Sequence, residues 1–343
     1  MTAIAPTIAK LRTTASVIVI GGLVTFGGMS TSGATVNHAQ STTPRLSAFP
    51  TLSQITAQIA SAEKTAHPPK SVHPSLGTLA AYGDFGFLDA GNCAAPGTNS
   101  ASVNVSACTF GDKSSPETVV LTGDSRAQMW LDAFVTVATG AHFKLILLAK
   151  SGCPSPFATY RVNNNGTFSN SAWTACTKWH LFVKQTIDKM KPRVVVMSSE
   201  SDLALANPLH YAQAAEIQQD TSAFIKSIPS STKTVVLGGF PEPGSASSPT
   251  LCLSKGPSSL LTCSFTPSRD VDINNQAVES AAKADGAGFI DQTPWLCGST
   301  CPAIIDGIVP YTIDGYHIDN TYTTHLTGVL WAALNSYLGR RPS

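Results

Sequence analysis

Charge is scarce in this chain: 13% of its 343 residues are Asp, Glu, Lys or Arg, and the net charge is +1. No dense Lys/Arg run occurs, so nothing resembles the electrostatic footprint of a nucleic-acid or anionic-membrane binder. A Gly-rich phosphate loop is missing, and so is a His/Asp cluster at metal-ligand spacing. The expectation is therefore no cofactor, no metal and no nucleic-acid partner. No internal repeat is present. The apolar run Ala15–Met29 falls short of the roughly 20 residues a spanning helix needs, and Gly21, Gly22, Gly27 and Gly28 interrupt it.

What the chain has in quantity is apolar residues, 43% of the total, enough for a sizeable core in one large domain or two ordinary ones. Lys10 and Arg12 precede the run Ala15–Met29, and small residues follow at Ser32-Gly33-Ala34. That is the layout of a secretory signal over residues 1–34, with cleavage near Ala34; an uncleaved anchor is the other reading. Residues 35–84 are rich in Thr, Ser, Pro and Ala and read as a linker with one short helix near Leu52–Lys64, ahead of a domain over 85–340. Export makes the eight cysteines a disulfide framework. They fall into local couples, expected to pair as Cys93–Cys108, Cys153–Cys176, Cys252–Cys263 and Cys297–Cys301. A zinc site built on Cys297 and Cys301 is the rival reading, and it lacks two further ligands at metal spacing.

From residue 118 the pattern settles. Thr118–Thr122, Phe143–Ala149, Arg193–Ser198, Thr234–Gly238 and Gly288–Asp291 read as buried strands. Ser125–Thr139, Trp173–Lys191, Leu209–Ile228, Val271–Ala284 and Asp319–Leu338 read as helices. Apolar strands alternating with amphipathic helices predict an α/β three-layer sandwich around a five-stranded parallel sheet. In such sheets chemistry sits beyond the carboxyl ends of the strands. Two long irregular segments, Pro241–Ser268 and Pro294–Tyr311, fit no regular element. Trp173, Trp179 and Trp295 are expected in the core rather than in a sugar site.

One turn carries reactive chemistry. Val119–Trp130 reads VVLTGDSRAQMW and places Ser125 where a strand stops and a helix starts. Such a serine is often only a helix cap. A nucleophile needs a base, and the base needs an orienting group. His38, His67 and His73 fall in the signal or linker, and His142, His180 and His210 read as solvated. His325 lies inside the last helix. His317 remains, three residues after Asp314 and ahead of Asp319, a helix cap. The Asp-x-x-His spacing lets one turn set a carboxylate on Nδ1 and leave Nε2 for the serine. The alternative is an ordinary Asp-Gly turn with an exposed histidine.

Serine first and Asp-x-x-His last, on either side of a five-strand α/β pattern, resembles the SGNH/GDSL hydrolases. Gly123-Asp124-Ser125-Arg126-Ala127 lacks the second glycine of the α/β-hydrolase elbow. The likeness is strongest to the SGNH domains fused to acyltransferase family 3 membrane O-acetyltransferases. It rests on Cys93…Cys108-Thr109-Phe110-Gly111-Asp112, Gly123-Asp124-Ser125, Ala127 and Trp130, Cys153-Pro154, Cys297…Cys301-Pro302, and Asp314 with His317. It implies a flavodoxin-like SGNH fold with Ser125 as nucleophile, His317 as base and Asp314 as its orienter. Oxyanion donors would be Ser125 N–H, Gly152 N–H and a third group at Ser198 or Ser199. The implied function is an exported esterase or O-acyltransferase acting on acyl, chiefly acetyl, esters of cell-envelope carbohydrate. A membrane acyltransferase is the implied partner, and transferase against hydrolase stays open. The alternative is a non-catalytic SGNH-like domain that binds glycan or a partner enzyme. Three departures stand out. Arg126 replaces the usual His after the serine, Ser198-Ser199-Glu200 lacks the oxyanion Asn, and the membrane half is not in this sequence, so the domain is expected to be exported alone.

Overall fold

The computed structural model describes residues 44–77, 93, 99–164, 167–200, 204–206 and 209–339. The signal expected over 1–34 lies outside the described residues. In chain order the elements are α1 (Leu52–Ala62), β1 (Thr109–Gly111), β2 (Thr118–Gly123), α2 (Ser125–Met129), α3 (Leu131–Gly140), β3 (Lys144–Ala149), β4 (Arg161–Asn164), β5 (Thr167–Ala172), α4 (Thr174–Met190) and β6 (Val194–Ser198). There follow β7 (Ala204–Ala206), β8 (Leu209–Tyr211), α5 (Ala214–Ser227), β9 (Lys233–Leu237), α6 (Pro249–Leu253), α7 (Arg269–Ala284), β10 (Gly288–Ile290), α8 (Asn320–His325) and α9 (Thr327–Leu338).

The central sheet has six strands in the order β1-β3-β2-β6-β9-β10. The five strands from β3 to β10 are parallel, and β1 adds to β3 antiparallel. The expected five-stranded parallel sheet is thus corrected by one short edge strand, Thr109–Gly111, which carries no apolar run to announce it. Among the five parallel strands the order is second, first, third, fourth, fifth. Direction reverses between β2 and β6, and an open sheet leaves its crevice at that switch point.

Alternation along each strand builds two cores. Val119, Leu121, Leu145, Leu147, Val194 and Val196 face one way, against Phe134 and Val137 of α3 and Leu330 and Leu334 of α9. Val120, Ile146, Leu148, Val195 and Met197 face the other, against Trp179 and Val183 of α4, Phe224 of α5 and Val278 of α7. Each such side chain fully buried contributes on the order of 2 kcal/mol against an exposed reference. Trp173, Trp179 and Trp295 are all buried.

The segment expected as a linker packs on this body from residue 44. Thr51 and Gln54 form a reciprocal capping box that starts α1, and its Ile55 and Ile59 are buried. Past α1, the Glu63 carboxylate accepts from the Thr300 N–H at 2.7 Å and the Ser299 hydroxyl at 2.9 Å. His73 exchanges backbone bonds with Gly307 and Val309, both 2.8 Å.

Two expected helices are broken. Ser125–Thr139 divides at Trp130, where the Met129 carbonyl accepts from the Thr323 hydroxyl at 3.1 Å. Asp319–Leu338 divides at Leu326. Leu209–Tyr211, expected as the start of a helix, pairs with β7 as a hairpin strand.

Cys153–Cys176, Cys252–Cys263 and Cys297–Cys301 are disulfides, and the last leaves no thiolate for the zinc reading. Cys93 and Cys108 are both buried but not joined, against expectation. The Cys93 thiol instead donates to the Ala107 carbonyl at 3.0 Å, and burial raises the pKa of both thiols. Among the described residues no helix is long and apolar enough to cross a membrane.

Candidate active site

Ser125 follows β2 directly, at the switch point between β2 and β6. The turn exists because Gly123 has no side chain: a Cβ there would lie 1.7 Å from the Ser198 carbonyl oxygen of the neighbouring strand. Asp124 is buried and serves as the helix cap. Its Oδ1 accepts from the Arg126 N–H at 2.8 Å, and its Oδ2 accepts from the Glu200 N–H at 2.9 Å. Burial, with the Glu200 charge adding to it, raises the Asp124 pKa to about 6 against the opposing pull of these donors and Arg126. One carboxylate therefore ties the serine turn to the loop after β6.

The other half of the site comes from 192 residues downstream. Tyr311 and Ile318 bridge, and the turn between them is closed by Gly315 N–H to Thr312 O at 3.1 Å. Gly315 has φ +69 and lies against Gly244, where a Cβ would meet the Gly244 oxygen at 2.5 Å. Both requirements exclude a larger residue. Within this turn Asp314 Oδ2 accepts from His317 Nδ1–H at 2.8 Å, and His317 Nε2 accepts from the Ser125 hydroxyl at 2.8 Å. Asp314 Oδ1 accepts from the Thr312 hydroxyl at 2.6 Å and the Tyr316 N–H at 2.8 Å. Burial opposes the Asp314 charge, but the bonds from His317, Thr312 and Tyr316 outweigh it and hold the carboxyl down at about 2. Serine, histidine and carboxylate thus form one hydrogen-bonded chain, which can draw a proton off the serine and stabilise the imidazolium that results.

Gly152 lies in the loop after β3, partly exposed and with φ +68. The loop is anchored by Lys150 N–H to Gly123 O and Cys153 N–H to Lys150 O, both 3.0 Å. The Ser151 hydroxyl reaches Gln128 of α2 at 3.0 Å, and the Cys153–Cys176 disulfide fixes the far end. Ser198 is placed differently from Gly152: it ends β6 beside Gly123 and is 1% exposed. The Ser199 hydroxyl accepts from the Ser155 N–H at 3.0 Å.

Sequence reasoning missed the charged cluster around Arg126. The guanidinium is buried, pairs with both Glu200 after β6 and Glu242 after β9, and stacks 4.5 Å over the Phe240 ring. Desolvation works against its charge, but the two glutamates and Asp124 more than offset it, so Arg126 stays protonated. Its partners lie 74 and 116 residues away, which no local pattern announces. His180 was expected in solvent and is instead 7% exposed. Its Nε2–H donates to the Pro154 carbonyl at 2.7 Å, against the Cys153–Cys176 bridge, and burial lowers its pKa to about 4. Cys176 and His180 stand four apart on α4, a spacing that sets both on one face and was available to find it. These three residues form a cluster of metal-ligand types, but both sulfurs are spent in the disulfide.

A family model described as "SGNH domain (fused to AT3 domains)" matches residues 92–331. Among solved structures, the periplasmic domain of a lipopolysaccharide acetyltransferase from Salmonella ser. Paratyphi A superposes with TM-score 0.54 at 14% identity, covering 74% of this chain and 94% of that one. A putative acylhydrolase from Bacteroides fragilis NCTC 9343 gives TM-score 0.41 at 14% identity, covering 67% of this chain and 91% of that chain. No curated protein matches the chain. At such identity the first likeness speaks for the fold.

Proposed function

The chain belongs to the SGNH family, in the group of domains fused to AT3 domains, and on that premise we propose that it is a serine esterase or O-acyltransferase exported from the cytoplasm. Family membership supports acyl-ester chemistry in general. The finer reading rests on one observation, the unbroken hydrogen-bonded chain Ser125–His317–Asp314.

In this reading Ser125 Oγ attacks an ester carbonyl while His317 Nε2 takes its proton. Asp314 keeps Nδ1 protonated and stabilises the imidazolium. His317 then returns the proton to the leaving alcohol. The acyl group passes from Ser125 to water or to a second hydroxyl, with His317 again acting as base. Ser125 N–H and Gly152 N–H are two oxyanion donors, and the third is Ser198 or Ser199, of which Ser199 is the more open to solvent. A site without the third donor would lose on the order of 3 kcal/mol of transition-state stabilisation and turn over slowly.

The substrate reading is an acylated cell-envelope carbohydrate. The lipopolysaccharide acetyltransferase neighbour favours it, as does the AT3 link, which also suggests a membrane acyltransferase as partner. The test is p-nitrophenyl acetate turnover by the folded, disulfide-intact protein beside its Ser125→Ala variant. Turnover that the substitution lowers at least ~10³-fold supports the reading. A folded protein with no turnover, or with equal turnover in both forms, counts against it and favours a non-catalytic binding domain.

A further inference from the structure

Tyr311 opens the turn that carries Asp314 and His317, and bridges to Ile318 across it. It is buried, and its hydroxyl donates to the Pro241 carbonyl at 2.9 Å. The residues on either side of Pro241 both reach Arg126. Phe240 lies under the guanidinium, its ring centroid 4.5 Å from Cζ, and Glu242 pairs with it. Phe240 also packs on Tyr311, with ring centroids 6.3 Å apart. Three consecutive residues after β9 thus touch Arg126 on one side and Tyr311 on the other. Arg126 follows Ser125 in the chain, and Thr312, after Tyr311, donates its N–H to the His317 carbonyl at 3.1 Å. Serine and histidine are therefore joined twice. One path is the bond from the Ser125 hydroxyl to Nε2; the other runs through Arg126, the segment Phe240–Glu242 and Tyr311.

The two paths differ in strength. The first is one neutral hydrogen bond between turns from distant parts of the chain, about half as strong as a charge-assisted one. The second is built of ionic and aromatic contacts around a buried guanidinium. A guanidinium is a rigid planar fork of donors, so it can grip carboxylates from two loops at once; an ammonium is a point charge on a flexible stem. Here the carboxylates are Glu200, next after Ser198-Ser199, and Glu242. Glu200, Phe240 and Glu242 also wall a cavity of about 260 Å³, which Tyr316, Asp270 and Asn274 line as well. The guanidinium that fixes the serine turn thus fixes these walls too.

We propose that Arg126 is a positioning residue for the triad: by clamping the segment after β9 it sets, through Tyr311, the distance between Ser125 and His317. The proposal rests on the esterase reading for its effect on rate, and the serine–histidine distance tests it apart from turnover. Arg126→Lys keeps the charge and loses the fork. A misplacement of about 1 Å can cost on the order of 10²-fold in rate. The kcat of Arg126→Lys on p-nitrophenyl acetate is therefore expected to fall ~10- to 100-fold while KM moves less than about threefold, at a temperature where circular dichroism shows the variant folded. Glu242→Gln and Tyr311→Phe cut the indirect path at two points, and each is expected to lower kcat roughly three- to tenfold. Combined, they are expected to lose about as much as the larger single loss, because cutting one path twice adds little. In crystal structures of Arg126→Lys and Glu242→Gln, the Ser125–His317 separation is expected to exceed hydrogen-bond distance. A folded Arg126→Lys with wild-type kcat, or with its loss confined to KM, overturns the proposal. So does an intact Ser125–His317 bond in a slowed variant, or a double variant whose losses multiply. Should Arg126→Lys fail to fold, the Glu242–Tyr311 cycle decides. Should the wild-type protein turn over no ester, the esterase reading falls and the distance in the variants decides.

Discussion

The loop after β3 and the loops after β6 and β9 flank the same serine and are held by different physics. On one side Gly152 is fixed by the Cys153–Cys176 bridge, with His180 and apolar side chains packed around it. On the other, Glu200 and Glu242 are fixed by Arg126, and Asp124 by its two backbone donors. A covalent clamp acts largely by constraining the unfolded chain and is blind to salt. An ionic clamp acts in the folded state and depends on every partner being present. The difference separates what reductant, mutation and pH each disturb.

The sharpest way to break the comparison is to remove the centre of the ionic side. Arg126→Leu leaves Glu200 and Glu242 facing each other with Asp124 beneath, and is expected to lower stability by about 3–5 kcal/mol; chemical denaturation measures it. A smaller loss would mean that the glutamates swing out to solvent. Slightly below this stands the covalent side. Replacing both Cys153 and Cys176 by Ala, which opens a loop with a sequence separation of 23, is expected to cost ~3 kcal/mol. That loss should be the same in low and high salt.

His180 sharpens the contrast through pH. Its folded pKa, about 4, lies below the unfolded value near 6.5, because burial disfavours the imidazolium. The unfolded chain therefore binds more protons between these values, and stability declines as pH falls from about 6.5 towards 4. Asp124 has the opposite sign: raised to about 6, its stabilising proton is lost as pH rises through 6. Denaturation from pH 4 to 7 on His180→Gln should remove the falling limb and leave the opposite limb, to which Asp124 and Asp220, both raised to about 6 by burial, contribute together. The limb attributed to His180 is on the order of 3 kcal/mol. A wild-type-like profile in the variant would refute the assignment.

Much of the architecture was legible because it is local. Thr118–Gly123 and Val194–Ser198 are built on the apolar runs Val119–Leu121 and Val194–Met197, and their alternating residues fall on the two faces of the sheet. The Gly-Asp-Ser and Asp-x-x-His turns were legible for the same reason: each carries its geometry within four residues. What was illegible joins distant segments. Arg126 read as a departure from a family habit, and only the fold brings Glu200 and Glu242 to it. Residues 44–77 read as a linker by composition, yet Ile55 and Ile59 are buried in the core and Glu63 accepts from Ser299 and Thr300. His180 reads as solvated from its place on a helix face, and only the fold sets it against the Cys153–Cys176 bridge.

Gly315 and Gly244 touch backbone to backbone, one in the turn that carries His317 and one in the loop that walls the cavity. The two are therefore not separate modules. An engineer who transplanted the loop from Gly239 to Ser268 to change the preferred ester would also move the support of the histidine, and a change of specificity would arrive together with a change of rate. Libraries for this scaffold would hold both glycines constant and diversify the wall at Asp270 and Asn274, on α7.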